Sequence, residues 1–169
     1  VESAAYGDEI LTTSQQTGLA TDKIQELKYA SELVDVSLET VTGSMARNIR
    51  AMGDAQSGTK QYVEAYDKLG ITVTNTDGTL RDSQTVYWEI IDALGSMENA
   101  TERDSIAMDL LGRSAQDLNP LILAGSATMA GLAVEAHNMG AVLTEDTLVQ
   151  LGAFDDGMVR MENAMNSLK

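Results

Sequence analysis

Little in this sequence can carry acid–base or ligand chemistry. The 169 residues hold one histidine, His137, and no cysteine, beside 26 acidic and 11 basic side chains. Without cysteine the chain forms no disulfide, thiol nucleophile, iron–sulfur cluster or cysteine-ligated zinc. A lone histidine excludes two-histidine metal sites within one copy. A Ser-His-Asp arrangement stays formally open, but His137 lies on an Ala-rich helical stretch with no nucleophile motif beside it. Asp155 and Asp156 are adjacent, so on a helix they point in different directions and do not make the facing pair that acid/base work needs.

Two short motifs invite a ligand. From Val73 to Gly78 the spacing imitates a calcium loop with Gly78 at its sixth position, but Val73 stands where the first carboxylate belongs and Gln84 where a bidentate Glu is required. A hairpin turn explains Asp77-Gly78 better. Gly112-Arg113-Ser114 resembles an anion-binding turn before a helix. With no longer glycine-rich signature around it, the expected reading is a helix stop followed by a helix cap. The expectation is therefore no catalytic residue, no metal and no cofactor.

Charge and composition narrow the partners. A net charge of −15 disfavours nucleic acid, which is held mainly through phosphates by Lys and Arg, and equally an anionic membrane surface. The hydrophobic fraction of 43% is ordinary for a folded protein, so disorder does not explain the acidity. Nine Met against one Phe and one Trp point to a core of helix-forming residues. The chain opens on Val1 and its first residues carry no basic-then-apolar leader, so no signal peptide is expected in them, and the chain reads as a piece cut from a longer protein. The longest uncharged run, Leu118 to Val134, is short for a bilayer span and contains Asn119 and Pro120, so a buried helix is expected there.

With one proline, the punctuation must come from glycines and capping residues. Thr21 precedes a helix whose inward face is Ile24, Leu27, Ala30 and Val34. Ser37 opens a second, striped by Leu38, Val41, Met45, Ile49 and Met52, with Gly53 as its stop. Thr59 opens a third, with Tyr62, Tyr66 and Leu69 inward and Gly70 as its end. Ile71, Val73 and Leu80 flank the turn of a small β-hairpin near residues 71–81. Asp82 or Ser83 restarts the helical pattern through Val86, Ile90, Leu94 and Met97. Thr101 and Asp104 suggest a capping box for a helix with Ile106, Ala107, Leu110 and Leu111 inward and Gly112 as its stop. Ser114 and Asp117 repeat a start signal, and Pro120 either kinks that helix or opens a new one. Ser126 caps a helix running to about Gly140. Thr144, followed by two acids, opens the last.

The last helix is the most regular. Leu151, Phe154, Met158, Met161, Met165 and Leu168 step alternately by three and four, which is a heptad seam. Such a seam serves either as core packing or as a partner or self-association surface, to which adaptable Met suits it. The expected architecture is all-α, a multi-helix bundle of short helices with one small β-hairpin and a longer C-terminal helix. It divides into N-terminal helical pairs over 1–57, a helix-hairpin-helix module over 58–143 and the heptad-patterned helix over 144–169, which together can form one domain.

Three stretches resemble the tail tape measure proteins of long-tailed bacteriophages and prophages. Tyr66 to Met97, YDKLGITVTNTDGTLRDSQTVYWEIIDALGSM, is similar in its Leu-Gly helix end, its Asp-Gly turn and the helix leading to Met. Glu102 to Ile122, ERDSIAMDLLGRSAQDLNPLI, is the most specific, with its Ala-Met, Gly-Arg-Ser and Leu-x-Pro-Leu succession. TGLATDKIQELKYASELVDVSLETV is similar to the family's paired helices. Leu111, Asn119 and Trp88 depart from it, standing where Phe, an apolar residue and an aliphatic one are usual.

The resemblance implies a structural component of the virion tail, made in the bacterial cytoplasm, that lies in the tail-tube lumen and sets tail length, with no catalysis in this segment. Its implied partners are tail tube and tail assembly proteins, with self-association through the terminal helix. Two rival readings are an acidic helical protein-binding module using the Met-rich seam, and a segment associated with a cell-wall hydrolase.

Overall fold

The computed structural model describes residues 2–167, with the side chains at positions 2, 3 and 155 outside that description. Among the described residues there are eight α-helices: α1 (Glu2–Thr17), α2 (Thr21–Leu33), α3 (Leu38–Gln56), α4 (Lys60–Leu69), α5 (Ser83–Gly95), α6 (Ala100–Leu111), α7 (Asn119–Asn138) and α8 (Glu145–Ser167). A 3₁₀ turn, Arg113–Leu118, precedes α7. The chain is all-α as expected.

The β-hairpin is not formed. Residues 71–81 make one isolated antiparallel bridge, Thr74 with Leu80, and no strand among the described residues. The Asp77-Gly78 turn is present, with Asp77 accepting from the Thr79 backbone N–H and hydroxyl. Beyond it the Asn75 N–H bonds to the Thr79 carbonyl at 2.7 Å and the Arg81 N–H to the Val73 carbonyl at 2.9 Å, but the pairing goes no further than this single bridge, because Leu80 is exposed and Val73 only half-buried, leaving no apolar face to hold two strands in register.

Several caps act as the spacing predicts. Ser37 accepts from the Thr40 N–H at the start of α3, and Asp82 from the Thr85 N–H at the start of α5. Gly70 closes α4 in the left-handed conformation. Two boundaries move. Helix α3 runs three residues past Gly53 to Gln56, because Gly53 stays helical and Ala55 continues the buried stripe of Ala51 and Met52. Helix α6 begins at Ala100, since Asn99, not Thr101, accepts from the Glu102 N–H.

The chain forms two compact units. One comprises Ala30–Leu132. Its core gathers Val41 and Met52 of α3, Val86, Ile90 and Leu94 of α5, Ile106 and Leu110 of α6, and Leu118, Leu121 and Ile122. Two buried hydrogen bonds tie α3 into this apolar mass: Ser44 Oγ with Tyr87 Oη at 2.7 Å, and Tyr66 Oη donating to Asn48 Oδ1 at 2.7 Å. Burial pushes both tyrosine hydroxyls above the ordinary phenol range, so they stay neutral donors.

The uncharged run is a buried helix only in part. It breaks at Gly125, whose φ of 80° and ψ of 166° are open essentially to glycine alone. The Asp92 carboxylate of α5 accepts from the Ser126 N–H at 2.8 Å and from its hydroxyl, replacing the helical bond lost at the break. Leu118, Leu121, Ile122 and Met129 are buried, whereas Leu123 is 73% and Val134 60% exposed. Residues Arg113–Asn138 are long and apolar enough to cross a membrane by length and composition, but the 3₁₀ turn and the break at Gly125 interrupt any continuous spanning helix.

The second unit combines the residues up to Tyr29 with those from Ala133 onward. Here α1 and the first two turns of α8 pack closely through small residues. A Cβ at Gly7 would lie 3.0 Å from the Leu148 carbonyl oxygen, and one at Gly152 2.7 Å from Asp8 Oδ1.

Candidate functional site

The candidate site is the terminal helix, built from its start. Thr144 caps α8 by accepting from the Thr147 N–H at 3.3 Å, with Glu145 and Asp146 favourably placed in the first turn. Gln25, itself buried, fixes the approach to that cap. Its Nε2 donates to the Leu143 carbonyl at 2.9 Å and its Oε1 accepts from the Leu143 N–H at 2.8 Å. Tyr6 Oη also donates to Oε1. Leu148 and Gly152 are buried against α1.

Past Gly152 the packing stops. Every residue from Ala153 to Ser167 whose side chain is described is exposed. The seam therefore divides: Leu151 is half-buried, while Phe154 is 64%, Met158 43%, Met161 53% and Met165 60% exposed. Leu168 lies outside the described residues. Among the described residues the seam is packed only at its first turn. What remains is an apolar stripe about three turns long on a helix with no covering element among the described residues.

The other sequence candidates are placed as follows. His137 is half exposed and its Nε2 lies 2.6 Å from Glu26 Oε1, a carboxylate shared with Lys23 at 2.9 Å. One turn along α2, Tyr29 Oη donates to Glu135 Oε1 at 2.8 Å, which raises the Tyr29 hydroxyl pKa. These pairs bind α2 to the C-terminal part of α7 and leave the imidazole engaged with a carboxylate. Ser114 lies exposed in the 3₁₀ turn, and a Cβ on Gly112 would meet the Arg47 stem at 3.5 Å. Asp156 is exposed, and the side chain of Asp155 lies outside the description. Among the described residues no group of three or more His, Asp or Glu could hold a metal ion.

An open groove of about 440 Å³ between α4 and α6 was not anticipated from the sequence. Its walls bond to each other: Gln61 Nε2 donates to Asp109 Oδ1 at 2.6 Å, and Lys68 pairs with Glu102 at 3.6 Å. The groove thus has polar walls that satisfy one another rather than converge on a ligand. No family model, curated protein or solved structure matches the chain.

Proposed function

We propose that this chain is a helical module of a phage tail tape measure protein, acting in the virion tail and its assembly and carrying no catalysis of its own. The structural observation that carries the reading is the form of α8: a long helix whose apolar seam is exposed from Phe154 to Met165 among the described residues is suited to be attached to, or to join, an extended helical assembly. The succession from Glu102 to Ile122 supports it by resemblance; it forms the end of α6 at Gly112, the 3₁₀ turn and the start of α7 at Asn119.

In this reading the partners are tail tube and tail assembly proteins. A helical ruler advances about 1.5 Å per residue, so its span follows its length. The negative surface keeps the chain from holding DNA that shares the tube and aids solubility before assembly.

The test is made on intact tails. Peptides of this chain are expected in purified tail particles, and in-frame shortening of the parent protein's helical region is expected to shorten the tail by about 1.5 Å per residue removed. Tails of unchanged length, or tails free of the chain, contradict the proposal. A peptidoglycan-digestion assay is expected to show no clearing by the chain. The exposed seam equally favours a second reading, an acidic binding module outside any tail, which would leave the chain out of purified particles.

A further inference from the structure

We propose that Asp77 is a self-modification site, where the backbone isomerises to isoaspartate through a ring closed by the Gly78 nitrogen, and that Thr79 holds the rate down.

The chemistry needs only the chain and water. The Gly78 nitrogen attacks Cγ of the Asp77 carboxylic acid and a C–N bond forms. The N–H proton and the acid's hydroxyl leave together as water, and a succinimide ring remains. Water then opens the ring on either side of the nitrogen. Breaking the new bond to Cγ restores aspartate. Breaking the original peptide bond leaves the chain running through Cγ, with the α-carboxylate free. The water released is balanced by the water consumed, so mass and charge are unchanged.

The sequence holds two Asp-Gly pairs, Asp77-Gly78 and Asp156-Gly157, and the fold separates them. Asp156 lies within α8, where the helical backbone commits the Gly157 N–H to the carbonyl four residues back, and freeing it opens the adjoining turns as well. Asp77 lies in a tight turn whose residues 75–80 are all exposed. There the Gly78 N–H bonds to the Asn75 carbonyl at 3.0 Å beside the isolated Thr74–Leu80 bridge, so opening it disturbs few other bonds. Glycine also leaves the approach clear, since a Cβ at Gly78 would have nothing within 4 Å.

Thr79 acts as the brake. Asp77 Oδ1 accepts from the Thr79 N–H at 3.0 Å and from its hydroxyl at 2.6 Å, which fixes the carboxyl in place. These bonds, the hydroxyl's first, hold the carboxyl below the usual carboxylate range. An ionised carboxylate has no hydroxyl to lose as water, so the form that Thr79 favours is the unreactive one. Isomerisation lengthens the backbone by one carbon and displaces Gly78, whose carbonyl accepts from Gln56 Nε2 at 2.9 Å. The tip of the turn is then released from the end of α3.

The experiment holds the whole chain for weeks at neutral pH in heavy-oxygen water. Each ring opening adds one heavy oxygen, located by peptide mapping, and isoaspartate is counted with an isoaspartate-specific methyltransferase. Both are expected at Asp77 ahead of Asp156. Thr79→Val is expected to speed conversion by about twofold to tenfold, since one pKa unit is tenfold in the protonated fraction. Thr79→Ser keeps the hydroxyl and is expected to restore the parent rate. NMR titration of the Asp77 carboxyl should move upward in the first variant and stay in place in the second. Asp77→Glu, whose ring would need a further carbon, is expected to abolish the signal.

An Asp77 that takes up no heavy oxygen in the chain, while a peptide of residues 72–82 does so, overturns the proposal. So does conversion at Asp156 ahead of Asp77, or a rate indifferent to Thr79→Val.

Discussion

The side-chain amide of Gln25 holds both backbone groups of Leu143, accepting from its N–H at 2.8 Å and donating to its carbonyl at 2.9 Å. This bidentate grip on an irregular segment sets where α8 begins. Replacing it as Gln25→Leu is expected to cost about 1–3 kcal/mol, because the Leu143 groups lose their partners in a half-buried site. Hydrogen exchange at Leu143 and Leu148 should accelerate by more than exchange in α5 does. Equal protection in the variant and the parent would show that water replaces the amide at no cost.

Two glycines on helices should respond in opposite directions to alanine. At Gly95 an added Cβ would lie 2.8 Å from the Ile122 carbonyl oxygen, a backbone atom that cannot move alone. Gly95→Ala is expected to destabilise by about 1–3 kcal/mol through overpacking. At Gly131 the Cβ meets open space inside helical backbone, so Gly131→Ala is expected to stabilise by about 0.5–1 kcal/mol. Urea unfolding of the two variants side by side checks the sign of each.

Acid should erase one helix cap. The Thr85 backbone N–H, and then its hydroxyl, hold the Asp82 carboxyl below the usual carboxylate range. Its folded pKa thus lies below its unfolded one, so its stabilisation is fully present above the unfolded value of about 4. That stabilisation fades as pH falls through the folded value. Asp82→Ala is expected to cost about 0.5–1 kcal/mol at neutral pH, reduced from a buried cap because the carboxylate is exposed. The difference from the parent should vanish in strong acid, as read by unfolding at pH 7 and below pH 3.

Much of the helical skeleton is legible because caps are local. Ser37, Asp82 and Thr144 each satisfy an N–H three residues ahead, a bond that needs no distant partner. Gly53 misled because a glycine permits a stop without imposing one, and the buried Ala55 beyond it carries the helix on. Asp77-Gly78 makes its turn locally, but strands need a continuous apolar face, which the flanks, with Val73 half-buried and Leu80 exposed, do not offer.

By itself the sequence determined the all-α class, most helix starts, the three-and-four spacing of apolar residues along α8 and the exclusion of cysteine and two-histidine chemistry. These depend on composition and on bonds or spacings within a few residues. Tertiary structure alone decided that Gln25 grips Leu143, that Asp92 caps the break at Gly125, and that the seam changes from packed to exposed after Gly152. Each depends on residues far apart in the chain meeting or failing to meet. Heptad spacing can mark an apolar stripe, but only the reach of α1 along α8 decides which part of that stripe is packed.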